Sequence, residues 1–172
     1  MMNSHENLCH RKSLRYVFAV AHKCEVVVRD WLEECIKSQQ LLPTTEYGLT
    51  SEAIEGDPGW IRARQTDKPL FDQMSFFLPK SFSDCRLLPK ESLKELITAC
   101  GGSCFDKPWE IVSSENSYTI FTPYSTKVDE ARKYEASMGG VPVLLADWVL
   151  ESIAEYRIMP IDSYKIYCSA NF

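Results

Sequence analysis

Apolar residues recur at i, i+3, i+4 and i+7 in two parts of the chain. Leu14, Val17, Phe18 and Ala21 form one such stripe, and Leu93, Leu96, Ile97 and Cys100 form another. That spacing puts each set on a single helix face. Pro89 fits the first turn of the second helix, and Gly101-Gly102 ends it. Short apolar runs at Met74–Leu78, Ser117–Thr122 and Val143–Leu145 are bounded by polar residues and predict buried strands, with a weaker one at Ser103–Phe105. Thr126-x-x-Asp129 resembles a capping box for a helix running to about Ser137. From Met74 onward the order is βαββαβα. Buried strands in that order predict an α/β unit with a small, mostly parallel four-stranded sheet flanked by helices.

The last strand and helix of this unit have a counterpart near the start of the chain. Asp30-Trp31-Leu32-Glu33-Glu34-Cys35-Ile36 and Asp147-Trp148-Val149-Leu150-Glu151-Ser152-Ile153 align without a gap at an offset of 117. Pro43 with Pro160, and Tyr47 with Tyr164, continue the frame. Val26-Val27-Val28 precedes the first copy as Val143-Leu144-Leu145 precedes the second. Trp31, Leu32, Cys35 and Ile36 share one helical face, as do Trp148, Val149, Ser152, Ile153 and Tyr156. Both Asp residues stand where an N-cap belongs, and both Trp residues are expected to be structural anchors. The offset is too long for a solenoid and suits a duplicated domain. Trp148 lies 74 residues after Met74, whereas Trp31 lies only 30 after Met1. The first copy is therefore expected to lack about 45 residues and to keep one helix, one strand and the closing helix. Thr50–Pro69, with Gly56-Asp57-Pro58-Gly59 and no periodicity, is expected to be a linker. The expected division is 8–49, the C-terminal part of a first repeat; 50–69, the linker; and 70–168, one complete repeat.

Composition narrows the chemistry. The net charge of −5 argues against sequence-independent nucleic-acid binding, which needs cations to neutralise phosphates. His10, Arg11, Lys12 and Arg15 are a local exception, enough for one phosphate. No apolar run approaches a membrane span, and the N-terminus lacks a signal-peptide pattern. Seven scattered cysteines match no metal-ligand spacing and suit a reducing compartment. No nucleophile–base arrangement is recognisable, so a non-enzymatic chain without cofactor or metal is expected.

A duplicated unit of about 100 residues, with Gly-Gly after its first helix and Trp in its last, resembles the BRCT repeat. The resemblance runs from about Cys9 to Tyr167. It implies a tandem pair of BRCT folds, non-enzymatic, nuclear and acting in the DNA-damage response. Tandem pairs of this kind bind pSer-x-x-Phe peptides across the interface between repeats. Carried over by position, the resemblance places Arg15 at the family's phosphate-binding Lys. Lys12 falls at an Arg that meets the peptide backbone, and Ser13 at a Thr beside the phosphate. Val17, Leu88 and Leu150 correspond to the walls of the pocket for the peptide aromatic. The family's hydroxyl and Gly-amide phosphate ligands come from a first strand that this chain is expected to lack. A lone exposed cation is worth only about 0–1 kcal/mol, so weak or absent phosphopeptide binding is expected. The resemblance also admits phosphate-independent docking on chromatin proteins, as in BARD-type scaffolds, and a role as tether of a DNA-repair enzyme. A monomer is expected, with no membrane partner and no sequence-specific nucleic-acid partner.

Overall fold

The computed structural model describes residues 13–50, 56–84, 88–111, 115–123 and 127–166, without the side chains of 83 and 84. In chain order the helices are α1 (Leu14–Ala21), α2 (Arg29–Ser38), α3 (Gly59–Gln65), α4 (Lys90–Ala99), α5 (Val128–Ser137) and α6 (Ala146–Glu155). The strands are β1 (Ser75–Phe77), β2 (Ser103–Phe105), β3 (Ser117–Phe121) and β4 (Val143–Leu145).

The four strands form one parallel sheet in the order β2-β1-β3-β4. Alternation along the strands divides their side chains between two faces. Phe76, Ile120 and Leu144 join the large core with Leu93, Leu96 and Ile97 of α4 and Trp148, Val149 and Ile153 of α6. Phe121, Val143 and Leu145 face the other way, onto Ala131 of α5 and Ile166. The expected α/β sheet flanked by helices is the one observed. Gly101 takes a φ of +86° to turn the chain out of α4. A Cβ on Gly102 would come within 2.7 Å of Ile97 Cγ2, so this glycine serves helix–strand packing.

The internal repeat is present in matching hydrogen bonds. Trp31 Nε1 donates to the Leu42 carbonyl at 3.0 Å, and Trp148 Nε1 to the Met159 carbonyl at 2.8 Å. The Leu42 amide donates to Cys35 Sγ at 3.3 Å, as the Met159 amide does to Ser152 Oγ at 3.2 Å. Gln39 and Tyr156 end their helices in the left-handed region, at φ +53° and +42°. Val27 bridges antiparallel to Gly48, as Leu144 does to Lys165.

Three expectations need correction. The N-caps of α2 and α6 are Val28 and Leu145, not Asp30 and Asp147. Each helix starts directly off its apolar run, so the Asp falls in the first turn, where its charge still favours the helix dipole. Helix α5 starts after Lys127 without a side-chain cap, so Asp129 closes no capping box, and Thr126 lies outside the described residues. Within the expected linker, Gly59–Gln65 is helical, with Trp60 and Ala63 buried one turn apart.

The two copies of the shared helix differ in burial. No residue of α2 is buried, and Leu32 and Ile36 are 55% and 67% exposed, whereas Trp148, Val149 and Ile153 are fully buried. The strand expected at Val26–Val28 is also not formed, and among the described residues this run makes only the antiparallel bridge to Gly48. Amides of α2 are therefore expected to exchange with solvent well before those of α6, because local opening there uncovers little apolar surface. Native-state hydrogen exchange by NMR checks this. Equal protection would show that α2 is covered in solution.

Candidate functional site

Helix α1 packs along α6 and also touches α3 and α4. Its stripe makes this contact: Val17, Val20 and Ala21 are buried, with Leu14 and Phe18 partly covered. Ser13 is the N-cap, its Oγ accepting from the Tyr16 amide at 3.2 Å. That bond satisfies one of the free amides at the helix start. Ser13 therefore has a structural task in addition to any contact with a ligand. No acidic residue sits in the first turn of α1, so the positive end of the helix dipole is uncancelled there. Arg15 is exposed on that turn and makes no hydrogen bond or ion pair among the described residues. Lys12 lies outside the described residues.

Val17 and Leu88 lie in one apolar cluster and Leu150 packs against it, although they come from α1, the residues just before α4, and α6. Val17 and Leu88 are each only 2% exposed, while Leu150 is half-buried. The three expected pocket walls therefore touch a common core, but two of them are closed off from solvent. An aromatic side chain could reach those two only after a local opening of the core.

Helix α3 holds this arrangement in place, inside a segment whose sequence shows no helical periodicity. Trp60 Nε1 donates to the Leu49 carbonyl at 2.9 Å, which ties α3 to the first copy. Arg62 Nε donates to the Glu155 carbonyl at 2.7 Å, and its Nη2 lies 2.8 Å from Glu155 Oε2, which ties α3 to the end of α6. Arg64 returns to the first copy through Glu25 at 2.8 Å. A short Trp-x-x-Ala stripe is the signal that could have revealed α3, but seven residues give too little periodicity beside Pro58 and Gly59.

Burial pushes the Cys100 thiol up to about 12 and the Cys104 thiol up to about 11. Both stay protonated at neutral pH and are poor nucleophiles. No group of three potential metal ligands occurs among the described residues, and none of their helices is long and apolar enough to cross a membrane. The chemistry on offer is a cationic, dipole-assisted helix start next to an apolar seam, which suits binding.

Comparison with known proteins places this geometry. Residues 69–165 match the BRCT domain family. A breast cancer type 1 susceptibility protein homolog of Caenorhabditis elegans is 33% identical over 179 residues, covering 96% of this chain and 28% of that protein. The homolog of Rattus norvegicus is 23% identical over 165 residues, covering 94% of this chain and 9% of that protein. The chain thus spans less than a third of either relative. Among solved structures, the S. pombe Brc1 BRCT5-BRCT6 domains superpose with a TM-score of 0.61 at 14% identity, covering 86% of this chain and 74% of that one. That pair supports a fold of two consecutive repeats, in line with the duplicated hydrogen-bond frame. On the match over residues 69–165 and the four-stranded parallel sheet those residues form, this chain belongs to the BRCT domain family.

Proposed function

We propose that this chain is a protein-interaction module of the DNA-damage response, acting in the nucleus as a monomer. Its ligand class is a phosphorylated protein segment of pSer-x-x-Phe type, met at the seam between α1 and α6. Residues 8–49 serve as the first unit, 50–69 as the bridge and 70–168 as the second unit. The observation that carries this reading is the placement of Arg15 at the dipole-positive start of α1, on the helix whose Val17 belongs to the same apolar cluster as Leu88, against which Leu150 packs. Arg15 is the principal phosphate contact, helped by Lys12 and Ser13. A planar guanidinium can hold a phosphate with two parallel bonds. Relatedness to the breast cancer type 1 susceptibility homologs supports the cellular setting.

Affinity is expected to be low. One exposed cation adds up to about 1 kcal/mol, so the phosphorylated peptide should bind about two- to fivefold better than its unmodified twin. Fluorescence polarisation with matched pSer-x-x-Phe and Ser-x-x-Phe peptides measures this preference. It should vanish in Arg15→Ala. A preference that survives Arg15→Ala would put the phosphate elsewhere, and equal binding of both peptides by the unaltered chain would sink the reading.

A further inference from the structure

The polar links from α3 toward α1 and α6 fall at one end of the seam. Arg64 Nη1 donates to the Lys23 carbonyl at 3.2 Å, and its Nη2 lies 2.8 Å from Glu25 Oε1. Lys23 Nζ donates in turn to the Thr66 carbonyl at 2.7 Å. Lys23 and Glu25 lie just beyond the end of α1. On the other side, Arg62 donates to the Glu155 carbonyl through Nε at 2.7 Å and meets Glu155 Oε2 through Nη2 at 2.8 Å. Glu155 is the last residue of α6. Helix α3 therefore braces the C-terminal end of α6 to the C-terminal end of α1. The Arg62–Glu155 pair is the more shielded of its two ion pairs, with side chains 26% and 21% exposed against 43% and 41% for Arg64 with Glu25. Removing one partner of a shielded pair costs more than removing one of an exposed pair. His22 Nε2 also reaches Glu95 of α4 at 3.5 Å, but both side chains are about half exposed, so this contact is too weak to replace the brace.

Val17 lies four residues before the end of α1, and Leu150 five before the end of α6. Both expected pocket walls are thus within about one and a half turns of the braced ends. Val17 and Leu88 are each 2% exposed, so an aromatic side chain enters only when this core opens. The apparent affinity for the aromatic is then the intrinsic affinity scaled by the open fraction. We propose that Arg62 is a positioning residue for the peptide site: it locks the end of α6 to the end of α1 through α3, keeps the pocket shut, and so sets how strongly the aromatic is gripped. This role rests on the seam being the peptide site, and it inverts the usual effect of a destabilising substitution. Loosening the brace should tighten recognition of the aromatic, which a loss of global stability cannot do.

The test compares the whole chain with its Arg62→Ala and Arg62→Lys variants. Ala131→Gly serves as the control, because Ala131 is buried in the other apolar cluster and glycine there weakens α5 instead of the brace. Native-state hydrogen exchange by NMR follows the Val20 and Ala21 amides of α1 against the Ile120 amide of β3. Fluorescence polarisation compares pSer-x-x-Phe with pSer-x-x-Ala peptides. Arg62→Ala should speed exchange at Val20 and Ala21 about tenfold or more relative to Ile120. It should also raise the preference for Phe over Ala about threefold or more. Arg62→Lys, which keeps the charge but not the planar fork, should fall between, and Ala131→Gly should change neither ratio. Exchange in α1 that Arg62→Ala speeds no more than Ala131→Gly does overturns the proposal. So does a preference for Phe that stays the same or falls. Binding of neither peptide by any of the four proteins removes the seam reading and this proposal together, whereas binding with an unchanged preference removes the proposal alone.

Discussion

Trp148→Ala is expected to remove about 3–5 kcal/mol of stability, the usual loss for truncating a large buried aromatic. The side chain is fully buried, with the rings of Tyr118, Phe71 and Phe76 at 4.8, 6.2 and 6.3 Å. Its Nε1 also satisfies the Met159 carbonyl, which would be stranded. Domains of this size are stable by only about 5–15 kcal/mol, so the variant should be marginally folded at best. Trp31→Ala removes the equivalent residue and the equivalent bond to Leu42. It should cost only about 1 kcal/mol, because that ring is only half-buried and joins neither apolar core. Urea denaturation of both variants at one temperature measures the contrast. Similar losses would mean that Trp31 is buried in solution, which would contradict the open face of α2.

Gly59→Ala should destabilise the chain by about 1–3 kcal/mol, although alanine is the better helix former by about 1 kcal/mol. The sign is what makes the substitution informative. A Cβ at this position would collide with the Ala154 carbonyl oxygen and come within 2.8 Å of its carbon. These are backbone atoms at the end of α6 and cannot rotate away. The relief available is for α3 to lift off α6, which breaks the Arg62 bonds to Glu155. Thermal denaturation should report the loss, and exchange of the α3 amides should rise with it. A neutral or stabilising result would show that α3 is not seated on α6 as described.

Much of this architecture follows from local pattern. β2 at Ser103–Phe105 is observed over the bounds its residues predict, and α4 lies on the Leu93–Cys100 stripe. Such elements are legible because strand and helix periods are properties of consecutive residues. The repeat was legible for a related reason. The side-chain bonds and the bridge of its frame stay within one copy, at spans of 7 to 21 residues, so a fixed spacing of Trp, Pro and Tyr carries the geometry. The misplaced caps at Asp30 and Asp147 mark the limit of that approach. An Asp in the first turn and an Asp at the N-cap have the same sequence signature within one or two positions.

The candidate site was only partly legible. Family resemblance pointed to Val17, Leu88 and Leu150, and the structure puts the first two in one apolar cluster with Leu150 packed against it. That two of them are closed to solvent depends on how α1 lies against α6, and no stretch of sequence states that. The linker helix shows the same gap. Gly59 next to Pro58 signals a break when the neighbours in sequence are considered, yet the glycine is there for a neighbour 95 residues away.

The sequence by itself determined the order of strands and helices from Met74 onward and the spacing of the duplicated frame, because these depend on patterns along consecutive residues. Only the tertiary structure decided how far each copy of the shared helix is covered. Trp31 and Trp148 sit in matching motifs with matching bonds, but one is half-exposed and the other has no exposed surface. Burial is a property of what lies across the interface, and the layer of Phe71, Phe76 and Tyr118 that covers Trp148 comes from distant parts of the chain.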